Sequence, residues 1–215
     1  MSTIAGVRIS RHVRLTPVRI VLFTGAIVIS PTPTVAAQDE PHIAVSANLL
    51  YARSSEFETT SVGIGGLVAW RPVPVLGIEA ALGAYPADFP GEGPFSSGQV
   101  EGLFGVTARL SFERVRPFAK ARAGFLAFRE SSRPIACIAI FPPPLSCTLA
   151  AGRTLPVLEI GGGTEIELTR RTFVRIDAAD RILKYPGPVF SRGRSFSDGF
   201  RRHDFSVTVG AGLRF

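Results

Sequence analysis

The chain has 215 residues, 46% of them hydrophobic and 19% charged, which is the size of one ordinary domain. Its net charge of +7 invites a nucleic-acid reading. Four of the cations, Arg8, Arg11, Arg14 and Arg19, precede residue 38 with no acid among them, and taking these four from +7 leaves +3. That residue of charge excludes net basicity as a ground for nucleic-acid binding, and nearly all of it is Arg, since only Lys120 and Lys184 are lysines.

The first element is a leader. A basic region at 8–19 precedes an apolar run of 11 residues at 20–30 (IVLFTGAIVIS), then Val35-Ala36-Ala37, an A-x-A-like cleavage site. The run falls short of the roughly 20 residues a spanning helix needs. Residues 1–37 are therefore expected to be a cleaved secretory signal peptide, with 38–215 forming one domain.

Beyond Gln38 the pattern has period 2 and offers no convincing amphipathic helix. Eight alternating runs are predicted, at 42–52, 61–71, 76–85, 99–112, 118–128, 157–169, 173–183 and 205–215. The connections alternate in length. Those at 53–60, 86–97, 129–154 and 184–203 are long; those at 71–75, 113–117 and 170–172 are short. An even strand count, with all long connections on one side, is the asymmetry of an outer-membrane barrel. A soluble sandwich has no reason to sort its loops so.

The two faces differ in content. One parity is apolar. The other carries Glu79, Glu101, Glu159, Glu165, Glu167 and Asp177 against Arg109, Lys120, Arg122, Arg175, Arg181 and Arg214. Matched acids and bases suit a narrow interior, where an unpaired charge is costly. The polar parity is thus expected inside and the apolar parity against lipid. Trp70, Phe112 and Phe215 are placed at the periplasmic rim, and Tyr51, Phe125 and Phe205 at the outer one. Inside eight strands, side chains fill the space and leave no wide pore. Glu79, Glu101, Lys120, Arg122, Glu159 and Arg175 form either a static plug or the salt-bridge gate of a narrow pore.

The last run, FSVTVGAGLRF, ends on Phe215. It resembles the C-terminal strand of small bacterial outer-membrane β-barrel proteins, of the OmpA transmembrane-domain and OmpX-like kind. The resemblance implies an all-β fold, an eight-stranded antiparallel closed transmembrane barrel in the cell outer membrane. It also implies Phe215 as an assembly signal read by the barrel-assembly machinery. Outer-membrane lipid and lipopolysaccharide are the expected surroundings and a monomer the expected state. No cofactor and no following peptidoglycan-binding domain are expected.

Some relatives of that kind are lipid-modifying enzymes. The mature chain offers them only His42, at the predicted periplasmic end, and His203, near Asp204 and Ser206. Neighbouring strand residues point to opposite faces, so neither Asp204 nor Ser206 shares the side of His203. Gly161-Gly162-Gly163 lies within a strand and lacks the helix a phosphate loop requires. Cys137 and Cys147 lack a nearby His for a metal and are expected either to pair across a Pro-rich loop or to stay free. Lys184, Arg192, Arg194, Arg201 and Arg202 form a basic outer segment suited to lipopolysaccharide phosphates. Three functions follow: a structural, adhesive or interaction role carried by the loops, a porin-like narrow channel, or a lipid-modifying enzyme.

Overall fold

The computed structural model describes residues 42–86, 98–110, 112, 114–131 and 137–215. The expected leader, 1–37, lies outside them.

Eight strands close into an antiparallel barrel. They are β1 (Ile43–Arg53), β2 (Thr60–Trp70), β3 (Leu76–Tyr85), β4 (Gln99–Arg109), β5 (Val115–Phe128), β6 (Arg153–Glu167), β7 (Thr172–Tyr185) and β10 (Phe200–Arg214). Each pairs with its neighbour in sequence, and β10 pairs with β1 to close the ring, from Ala44↔Arg214 to Arg53↔Phe205. Closure leaves no open edge, the condition a sheet must meet to cross a membrane.

The alternation in sequence becomes alternation of burial, as in β1 where Ala44, Ser46, Asn48 and Leu50 turn inward while Val45, Leu49 and Tyr51 stay exposed. Trp70, Phe104, Phe112, Phe125, Phe205 and Phe215 are likewise exposed on the outer wall. The outward residues of the last strand from Phe205 to Phe215 rise about 25 Å along the barrel normal, at about 3.3 Å per residue and a tilt of about 40°. That is the height of the apolar band such barrels show to lipid.

Glycine lets the wall fold tightly. A Cβ on Gly161 would stand 2.2 Å from the Ala178 carbonyl oxygen, and one on Gly163 2.2 Å from that of Ile176. Gly161 and Gly163 therefore serve β6–β7 approach, and Gly162 the approach to β5, where a Cβ would stand 2.7 Å from the Phe118 carbonyl oxygen.

Several boundaries move from the sequence reading. The fourth strand ends at Arg109 rather than 112, and β5 begins at Val115 rather than 118, so the connection moves from 113–117 to 110–114 at equal length, with Phe112 bridging Val115. The last strand begins at Phe200 and β6 at Arg153, because the barrel continues above the apolar band where alternation of hydrophobicity fades. The long connections also hold ordered elements: a short helix α1 (Leu145–Ala150), and a hairpin of β8 (Val189–Ser191) and β9 (Arg194–Phe196). The hairpin turns on Arg192 (φ 45°) and Gly193 (φ 76°), two left-handed residues as a tight hairpin loop requires.

Substituting Gly161 by Val would drive a side chain into the β7 backbone. The expected result is loss of the compact, heat-modifiable band on an unheated denaturing gel, or destabilisation by about 1–3 kcal/mol if the wall can shift.

Candidate functional site

The lumen is built in layers. At the periplasmic end Glu165 of β6, 1% exposed, accepts Arg71 Nη2 at 2.6 Å, Arg214 Nη2 at 2.8 Å and Arg109 Nη1 at 3.5 Å. Arg71 follows β2 and turns inward, although its sequence position suggested only a strand end or a connection. Burial pulls its guanidinium below the ordinary value, and Glu165 opposes that shift. Arg214 lies 4.8 Å over the ring of Phe173, and Arg175 lies 4.0 Å over that of Phe118. Both rings point inward and belong to this lining.

At mid-depth Arg175 of β7 donates from Nη1 and Nη2 to the two oxygens of Glu79, at 2.6 and 3.1 Å, and from Nε to Asp177 at 3.0 Å. Lys120 donates to Asp177, and its Nζ lies 2.8 Å from Glu159. Arg122 adds Nε and Nη2 donors to the same Glu159 oxygen, at 3.1 and 2.5 Å. One level further out Arg181 donates to Glu101 and, at 3.3 Å, to the Tyr85 hydroxyl. Of the twelve charged residues read on the polar parity, all but the half-buried Glu167 are buried, and all twelve belong to one linked network.

Among the described residues seven carboxylates are buried (Glu56, Glu79, Glu101, Glu159, Glu165, Asp177 and Asp204) against seven bases (Arg71, Arg109, Lys120, Arg122, Arg175, Arg181 and Arg214). The match holds the interior near neutrality. A cavity beside Tyr85, Glu101, Arg122 and Arg181 measures about 20 Å³, which admits about one water.

Outside the charged layers the lumen turns apolar. Leu103, Leu126, Phe128, Leu155, Val157, Leu183 and Tyr185 of the wall pack with Leu145 and Leu149 of α1 and Val189 of β8. The helix and hairpin therefore sit as a stopper. Phe190 N donates to the Pro143 carbonyl at 2.9 Å, linking the two. A disulfide joins Cys137 to Cys147 in α1, with a Cα–Cα distance of 5.9 Å. Beside it Ile138 and Phe141 are 71% and 86% exposed.

Glu56, in the connection after β1, was invisible as a site from the sequence. It is buried, accepts Arg202 Nε at 2.6 Å and is bonded by the Ser191 hydroxyl; Arg192 reaches the carbonyls of Ser55 and Glu56. Asp204 accepts the Ser55 backbone N–H at 2.7 Å. Arg192 and Arg202 of the expected basic segment are therefore structural ties, while Lys184, Arg194 and Arg201 stay exposed.

His203 lies on the outer wall, with Nδ1 2.7 Å from Asp180, while Ser206 points inward with its hydroxyl 3.4 Å from the Ala179 carbonyl. His42 contacts the Arg71 carbonyl through Nδ1 at 3.0 Å. No Ser–His–acid array forms from these residues. Among the described residues no group of three or more His, Cys, Asp or Glu is placed to hold a metal. Phe215, 68% exposed, exchanges backbone hydrogen bonds with Ile43 at 3.2 and 2.8 Å, closing the ring at its periplasmic end.

No family model and no curated protein matches the chain. Solved structures do. Neisserial surface protein A (NspA) superposes with a TM-score of 0.50 at 13% identity, covering 81% of this chain and 97% of that one. The outer-membrane protein OprG of Pseudomonas aeruginosa gives 0.50 at 7% identity, covering 82% and 97%. The fold is that of a small outer-membrane β-barrel. At these identities the backbone architecture is what is shared, and this barrel's charged layers and stopper are read from its own residues.

Replacing Arg175 by Met would strip Glu79 of its two-pronged guanidinium partner and leave Asp177 with Lys120. The variant is expected to lose about 3–5 kcal/mol, read as a lower urea midpoint for unfolding from liposomes. Arg194→Met, on the exposed hairpin, is expected to stay within about 0.5 kcal/mol of the parent.

Proposed function

We propose that this outer-membrane barrel acts through its extracellular cap, as a structural or adhesive interaction protein, and that its lumen is a static plug rather than a pore. The observation carrying this reading is the double seal, a neutral ion-pair network below and an apolar stopper above. A gate needs a second arrangement of comparable energy. Arg175 alone engages Glu79 and Asp177 at hydrogen-bond distance with Glu165 at 3.5 Å, so moving it strands several buried charges at once.

The cap has the features of a display surface. It is tied to the wall by Glu56–Arg202, tied to itself by Cys137–Cys147, and rooted in the lumen by Leu145 and Leu149. Ile138 and Phe141 then present apolar side chains outward, and an exposed apolar patch marks a contact site. Phe215, at the ring closure, serves as the assembly signal for the barrel-assembly machinery, and the folded barrel works as a monomer.

Planar-bilayer recording of the refolded, heat-modifiable barrel tests the plug. No discrete conductance steps are expected, and steps that shift in Glu79→Ala or Lys120→Ala would replace this reading with the pore. The adhesive role predicts that cells displaying Ile138→Ser/Phe141→Ser aggregate and adhere to apolar-coated surfaces severalfold less than cells displaying the parent. Equal adherence at equal surface level removes the cap from the account.

A further inference from the structure

The outer wall carries a charge arrangement unrelated to the lumen. Above the apolar band, Arg201 of β10 stands directly across from Lys184 of β7. Both side chains are exposed on the outward parity, two outward pairs beyond Phe205↔Asp180. Like charges directly opposite on one face of an antiparallel pair destabilise it. Neither cation has an acidic partner among the described residues, because the nearby Asp180 carboxylate is taken by His203, one outward pair closer to the band.

The location says what lies against these side chains. Arg201 precedes the band edge at Phe205 by four positions, which puts it about 10 Å outside that edge at about 3.3 Å per residue and a tilt of about 40°. This is the level of the outer-leaflet headgroups. Directly opposed residues have Cβ atoms about 4.5–5.5 Å apart, so both heads can close on one small anion. We propose that Arg201 and Lys184 together bind a phosphomonoester on the headgroup of an outer-leaflet glycolipid. The guanidinium supplies a planar two-pronged donor and the ammonium a point charge. Two unit charges match a phosphomonoester, which carries about −1.5 to −2 at pH 7, better than the single charge of a phosphodiester. The site rests on which way these side chains face, not on whether the lumen is sealed, so a conducting barrel would leave it standing.

The test uses the whole barrel in phosphatidylcholine nanodiscs doped with monophosphoryl lipid A, with its dephosphorylated form, or with phosphatidylglycerol. Native mass spectrometry reads the lipid retained per barrel on release, and the heat-modifiable band certifies that each variant is folded. The parent is expected to retain the monophosphoryl lipid over the other two. Lys184→Gln/Arg201→Gln is expected to lower that retention at least about tenfold, the loss of about one charge-assisted contact, while Arg170→Gln, at an exposed position in the periplasmic connection, leaves it unchanged. Should the double variant not fold, Lys184→Gln and Arg201→Gln singly are each expected to lower retention severalfold. Equal retention by parent and folded variants overturns the proposal. So does equal retention of the dephosphorylated lipid, which would mean recognition of sugar or acyl chains, or of phosphatidylglycerol, which would mean nonspecific attraction at the headgroup plane.

Discussion

The constraint on which this structure depends is neutrality inside a closed ring. Once β10 has paired with β1 there is no route by which a lumen charge can find bulk water without crossing other side chains. Each carboxylate must therefore be answered by a base within reach. Glu165 answers to Arg71, Arg109 and Arg214, and Arg175 answers to Glu79 and Asp177. The bonds cross the lumen between distant strands, β3 to β7 and β4 to β7, so the network acts as a set of internal struts. Their net worth against an apolar filling is small in general. Their value is specificity, because a shifted register would separate acids from bases all around the barrel.

The interior is also divided lengthwise. Charge fills the periplasmic and middle depths, and hydrocarbon fills the outer depth under α1 and the hairpin. A wholly ionic lumen would have to end at water among the loops. Here an apolar layer intervenes, and its contacts with Leu145, Leu149 and Val189 fix the loops as well as close the barrel. The segment that stops the lumen also carries the exposed Ile138 and Phe141 on its far side.

Much of this was legible in the chain, and the physical reason is the period of two. Parity says which face a residue takes, so the twelve charges of the polar parity, the outward aromatics and the loop asymmetry follow from sequence spacing. Parity does not say who meets whom. That Arg175 spans to Glu79, or that His203 takes Asp180, depends on strand order and tilt. Tyr85 and Phe173 are aromatics on the polar parity, out of step with a lipid-facing belt, and they belong inside, beside Arg181 and Arg214. The first four residues of β10, 200–203, read as loop in the sequence because Arg201 to Asp204 carry no hydrophobic contrast. Glu56 and α1 left no signal, since their burial comes from packing against segments far away in the chain.

The β1–β10 seam joins the two ends of the barrel's strand sequence. A ring whose final joint is its first strand with its last cannot be stable in parts: until β10 arrives, β1 offers a bare row of donors and acceptors that lipid will not satisfy. Integration into the bilayer thereby doubles as an inspection of completeness. A chain lacking its last strand stays recognisably unfinished and open to degradation in the aqueous space it came from.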